Sequence, residues 1–65
     1  MQNNSYRLYC KFEGQSQFKP LDLSRGQQVT NLIYATIFTD AELEAVKRTI
    51  EMNKETKFEI RKIKP

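Results

Sequence analysis

Residues 6–12 alternate without a break: Tyr6, Leu8, Cys10 and Phe12 fall on one side, and Arg7, Tyr9 and Lys11 on the other. Period-two alternation with aromatic residues is the signature of a strand with one buried face. Such a strand needs partners beside it and a cover over its apolar side. The turn residues Glu13-Gly14-Gln15-Ser16 come next, and Gly14 permits the positive φ of a hairpin. The natural return strand runs from Gln17 to Leu23. Pro20 has no amide proton to donate, which places that strand at an edge or gives it a bulge. Asp22-Leu23-Ser24-Arg25-Gly26 is a second turn signal.

The cover comes from a helix. Thr39-Asp40-Ala41-Glu42 is a capping box, with Phe38 and Leu43 at the positions of a hydrophobic staple. Asp40, Glu42 and Glu44 suit the positive end of the helix dipole. Leu43, Val46 and Ile50 make an apolar stripe, Glu44 and Arg48 stand at ion-pair spacing, and Asn53 is a plausible stop. The spacing predicts a helix over 40–53. After it, Lys57 to Ile63 alternates again, with Phe58 and Ile60 one way and Glu59, Arg61 and Ile63 the other.

Helix and strand compete between these elements. Val29 to Phe38 is the most apolar stretch, and its isoleucines, aromatics and threonines favour a strand over 32–38. A short helical turn at Asn31–Ala35 is the alternative. The expected fold is α+β of order β-β-β-α-β: a mostly antiparallel four-stranded sheet with one helix packed on one face. The last strand belongs beside either the first or the third. Residues 1–5 are read as a flexible tail and 6–65 as a single domain.

A chain of 65 residues is marginal as an independent fold, and small domains often add a disulfide, a metal or a partner chain. One cysteine and no histidine exclude an intramolecular disulfide, imidazole-based zinc sites and four-cysteine sites. What remains is close packing or self-association. The absent histidine removes the base of a nucleophilic triad. Cys10, between apolar neighbours, reads as an inert small hydrophobe. The two glycines stand alone at turns and make no phosphate loop, and Glu42 and Glu44 do not face each other on a helix. The expectation is a protein that is not an enzyme and carries no cofactor, metal or small-molecule substrate.

Binding is the remaining class. Arg7, Tyr9 and Lys11 occupy the side of the first strand away from the helix, and Tyr34 and Arg61 are expected to join them. These five residues are the candidate interaction face. Tyrosine and arginine are enriched at protein interfaces, so an unknown protein, or a second copy of this chain, is the first choice of partner. The rival is weak nucleic-acid binding, with the tyrosines stacking on bases and Arg and Lys on phosphates. The net charge of +3 is mild for that role, and segment 39–65 mixes both signs. The basic cluster Lys57, Arg61, Lys62 and Lys64 equally serves to guard an exposed sheet edge. No apolar run is long enough for a membrane span and the first residues lack a signal-peptide core, which suggests a cytoplasmic protein without a membrane partner.

Asn31-Leu32-Ile33-Tyr34-Ala35-Thr36-Ile37-Phe38-Thr39, the acidic helix start after it, and Phe58-Glu59-Ile60-Arg61-Lys62-Ile63 resemble small uncharacterised proteins of bacterial phages and mobile elements. The resemblance spans Tyr6 to Ile63. It implies an accessory protein with a host protein as a candidate partner, and it carries over no functional residue. Phage inhibitors that mimic DNA are strongly acidic, and a chain at +3 does not fit that route.

Overall fold

The computed structural model describes residues 4–63. Along the chain run β1 (Ser5–Lys11), β2 (Lys19–Asp22), β3 (Gln27–Gln28), a 3-10 turn (Leu32–Tyr34), β4 (Ile37–Thr39), α1 (Asp40–Met52) and β5 (Lys57–Ile63). The fold is α+β, with one helix and a mostly antiparallel sheet of five strands. The added strand is β3, two glutamines that close a hairpin onto β2 by pairing Leu21 with Gln28 and Asp22 with Gln27.

β1 is the centre of the sheet. One edge pairs with β5 along its whole length, from Ser5 opposite Ile63 to Lys11 opposite Lys57. The other edge is shared: β4 takes Ser5, Tyr6 and Arg7, and β2 takes Tyr9 and Cys10. Thr36 makes the hand-over. Its carbonyl accepts from the Leu8 amide at 3.1 Å, its amide donates to the Leu21 carbonyl at 2.8 Å, and its hydroxyl accepts from the Leu23 amide at 2.7 Å. One residue, at the entry to β4, thus ties β1 to β2. β4 and β5 are both antiparallel to β1, hence parallel to each other, and α1 carries the chain across β1 between them.

Antiparallel partners point to the same side of a sheet. Leu8, Cys10, Leu21 and Phe38 therefore share a side, and with Val46 of α1 they form the core, each at most 8% exposed. Leu43, Ile50, Phe58 and Ile60 pack around them half-buried, as does Tyr6, whose ring stacks on Phe38 at 5.6 Å between centroids. Burying a side chain of Leu or Phe size contributes about 1.5–3 kcal/mol, and here that burial rests on very few residues.

The helix lies where its signals place it. Thr39 and Glu42 form the capping box, the Glu42 carboxylate accepting from the Thr39 amide at 3.2 Å, and Asn53 is the C-cap. Glu44 and Arg48, both exposed, make no ion pair with each other. Gly14 and Gly26 take the positive φ of their turns, 89° and 63°.

Several expectations are corrected. A strand over 32–38 forms only at its end, 37–39, because Asn31 caps a 3-10 turn instead. Its side chain accepts from the Ile33 amide at 3.1 Å, and the Ala35 amide donates to Leu32 at 3.2 Å. β4 pairs with β1 and not with β2, so the four strands before the helix make no simple antiparallel meander. The return strand is shorter than 17–23 and is not an edge, since β1 and β3 flank it. Pro20 is tolerated there because its carbonyl turns away from β1, accepting from the Val29 amide at 2.9 Å. The missing amide proton would have pointed the same way, so the β1 ladder loses nothing. The expected tail shortens too: Ser5 is paired on both sides and the Asn4 amide donates to Asp40 at 3.1 Å, while residues 1–3 lie outside the described residues.

Candidate functional site

The sheet face away from α1 is built from the odd-numbered residues of β1 and their partners. Across β1 and β5, Lys11 stands opposite Lys57, Tyr9 opposite Glu59, Arg7 opposite Arg61, and Ser5 opposite Ile63. On the other flank, Tyr9 meets Pro20 and Arg7 meets Ile37. Like charges directly opposite one another on a sheet are destabilising. This face holds two such pairs, one on each side of Tyr9.

Tyr9 itself is sheltered, only 8% exposed. The Arg61 guanidinium lies 4.1 Å from the centre of its ring and is held there by the Glu59 carboxylate, which accepts from Nε at 3.1 Å and from the terminal nitrogen at 3.2 Å. That paired hydrogen bonding raises the Arg61 pKa further above its ordinary value. Lys11 places its ammonium 5.1 Å from the centre of the Phe18 ring. Arg7 has no such arrangement. Among the described residues it makes no ion pair, and its Nε is buried without a hydrogen-bond partner.

The structure brings four of the five expected residues together: Arg7, Tyr9, Lys11 and Arg61. Tyr34 is not on the sheet. Its place is the 3-10 turn, where it is 64% exposed and borders a shallow depression of about 280 Å³ with Asp22, Arg25, Gln27 and Val29. Leu32 and Ile33 beside it are 44% and 71% exposed, and Ile37, the neighbour of Arg7, is 49% exposed. The cationic strip therefore borders one exposed aliphatic side chain, Ile37, a neighbour the sequence did not reveal. Ile37, Lys57 and Glu59 also belong to the face. The alternation of β5 carried the signal for Glu59 and Lys57, which share the parity of Arg61. Lys64 of the expected basic cluster lies outside the described residues.

Away from this face, Cys10 is fully buried, and burial pushes its thiol pKa up despite a 3.6 Å contact from the Gln28 amide group. Deprotonation is thereby disfavoured, as inert packing requires. Among the described residues no cluster of three or more His, Cys, Asp or Glu side chains is placed to hold a metal ion. No helix among them is long and apolar enough to cross a membrane. No protein-family model, curated protein sequence or solved structure matches the chain.

Proposed function

We propose that the chain is a non-catalytic protein-interaction module that docks an acidic partner segment on the open sheet face. The observation that carries this reading is the pair of in-register cations on the strand ladder, Arg7 opposite Arg61 and Lys11 opposite Lys57, with no anion paired to Arg7 among the described residues. Local rules of strand pairing are broken at functional sites and compensated elsewhere. A carboxylate laid between Arg7 and Arg61 would turn that repulsion into attraction, and arginine accepts carboxylates in a bidentate fork. Ile37 and the turn Leu32–Tyr34 then supply the apolar contact that anchors an interface.

Nucleic acid fits the same charges less well. Base stacking needs a free aromatic face, and Arg61 already occupies the ring of Tyr9. The side chain beside Arg7 is the aliphatic Ile37, and the exposed ring of Tyr34 lies off the sheet on the 3-10 turn. Cross-linked capture from cells expressing the chain, with and without nuclease, separates the two readings. A protein retained after nuclease and reduced at least tenfold by Arg7→Glu is the expected result. Capture abolished by nuclease, together with salt-sensitive anisotropy of a labelled oligonucleotide, overturns it in favour of nucleic acid.

A further inference from the structure

We infer that the outer edge of β5 is a dimerisation edge and that its partner is β5 of a second copy of this chain. This goes beyond the docking reading, which concerns the open face and not the edge.

β5 is the longest exposed edge of the sheet. It spans Lys57–Ile63, pairs with β1 on one side, and has no strand on the other among the described residues. Such an edge offers a row of unpaired amides and carbonyls to another strand. On the helix side it is incompletely covered, since Phe58 and Ile60 are only half-buried there. A chain this small gains from any surface a partner buries.

The sequence of β5 selects the partner. Two copies related by a two-fold axis perpendicular to the sheet pair antiparallel, and residues that face each other then share a side. Centring the axis on Ile60 matches the strands over their full length. Glu59 meets Arg61 of the second copy, and the second copy's Glu59 meets Arg61. Ile60 meets Ile60, Phe58 meets Lys62, and Lys57 meets Ile63. No like charges oppose each other. Because Glu59 already bonds Arg61 along its own strand, the four groups alternate in sign around a closed square. A shift by one pleat in one direction sets Glu59 against Glu59 and Lys57 against Arg61. The opposite shift sets Arg61 against Arg61. Opposite-charge pairs favour a register and like pairs disfavour it, so charge selects the centred register over both neighbours, and the full length of the overlap selects it over larger shifts. In that register the lysines meet apolar residues, over which their stems can lie. The docking faces of both copies come to lie on one side of a continuous sheet.

Sedimentation equilibrium of the whole chain from about 10 μM to about 1 mM, a span reaching weak association, tests the pairing. A reversible monomer–dimer equilibrium is expected, and a monomer throughout overturns the inference. Glu59→Arg and Arg61→Glu chains should each lose dimer affinity at least tenfold, and mixing the two should restore a heterodimer, since both cross-strand contacts then pair Glu with Arg, one in its original sense and one with its signs exchanged. A dimer that survives either substitution, or a mixture of folded variants that stays monomeric, overturns it. If either variant fails to fold, wild-type amide exchange decides: the outward amides of β5 must gain protection with concentration, and unchanged protection rules the edge out. Loss of partner capture by Arg7→Glu with dimerisation intact separates the docking reading from this one.

Discussion

The two faces of β1 obey opposite rules. On the helix side, Leu8 lies opposite Ile60 and Cys10 opposite Phe58, and Val46 closes over them, so each contact removes apolar surface from water. On the open side, Arg7 lies opposite Arg61 and Lys11 opposite Lys57, and Arg61 and Lys11 rest on the rings of Tyr9 and Phe18. Two pairs of like charges directly opposite one another are a local cost to the sheet. The difference teaches that the helix side holds the fold together and that the open side tolerates a local cost.

The largest effect should come from breaking the helix side. Leu8→Ala removes a fully buried side chain from a core of few members and should cost about 2–5 kcal/mol, which is most of the stability of a domain this small. Urea denaturation reads it directly. A cost below about 1 kcal/mol, at the low end for such substitutions, would mean that the core lies elsewhere.

Substitution on the open side should run the other way. Lys57→Glu replaces the Lys11–Lys57 opposition by an opposite-charge pair and should stabilise the free chain by about 0.2–1 kcal/mol while weakening capture of an acidic partner. A destabilised variant would show that the cation pair carries no strain, and the contrast between the faces would narrow.

The smallest effect is a pH dependence at the edge of the core. The Tyr6 hydroxyl donates to Asp40 at 2.6 Å, and this bond lowers the Asp40 pKa and raises that of Tyr6. A lowered folded-state pKa gives Asp40 a stabilising contribution present above its unfolded value and lost as pH falls through the lowered one. The raised Tyr6 pKa gives a contribution present below its unfolded value and lost as pH rises through the raised one. Tyr6→Phe should therefore be less stable than the parent through the neutral range, with the gap closing at both extremes. A gap independent of pH would mean that the bond to the charged Asp40 is not the source of the loss.

Much of this was legible in the chain. The alternation of residues 6–12 fixed which side chains of β1 meet the helix, because the pleat has a period of two and hydrophobicity alone selects the inward set. Thr39 and Glu42 announced the helix start, because a cap is a local hydrogen-bonding arrangement within four residues. Arg7, Tyr9, Lys11 and Arg61 were placed on a common face by parity alone. Tyr34 was misplaced because apolar content favours a strand, whereas Asn31 turned the backbone into a 3-10 turn through one side-chain bond.

What the sequence by itself determined is thus periodic and local: the faces of the strands, the helix with its cap, and the glycine turns. The tertiary structure alone decided which strands are neighbours. Thr36 hands one edge of β1 from β2 to β4, and β5 takes the other in a register that sets Arg7 against Arg61. Backbone hydrogen bonds are the same for every residue and carry no address. Pairing across a sheet is chosen by the packing of the whole core, which no short segment contains.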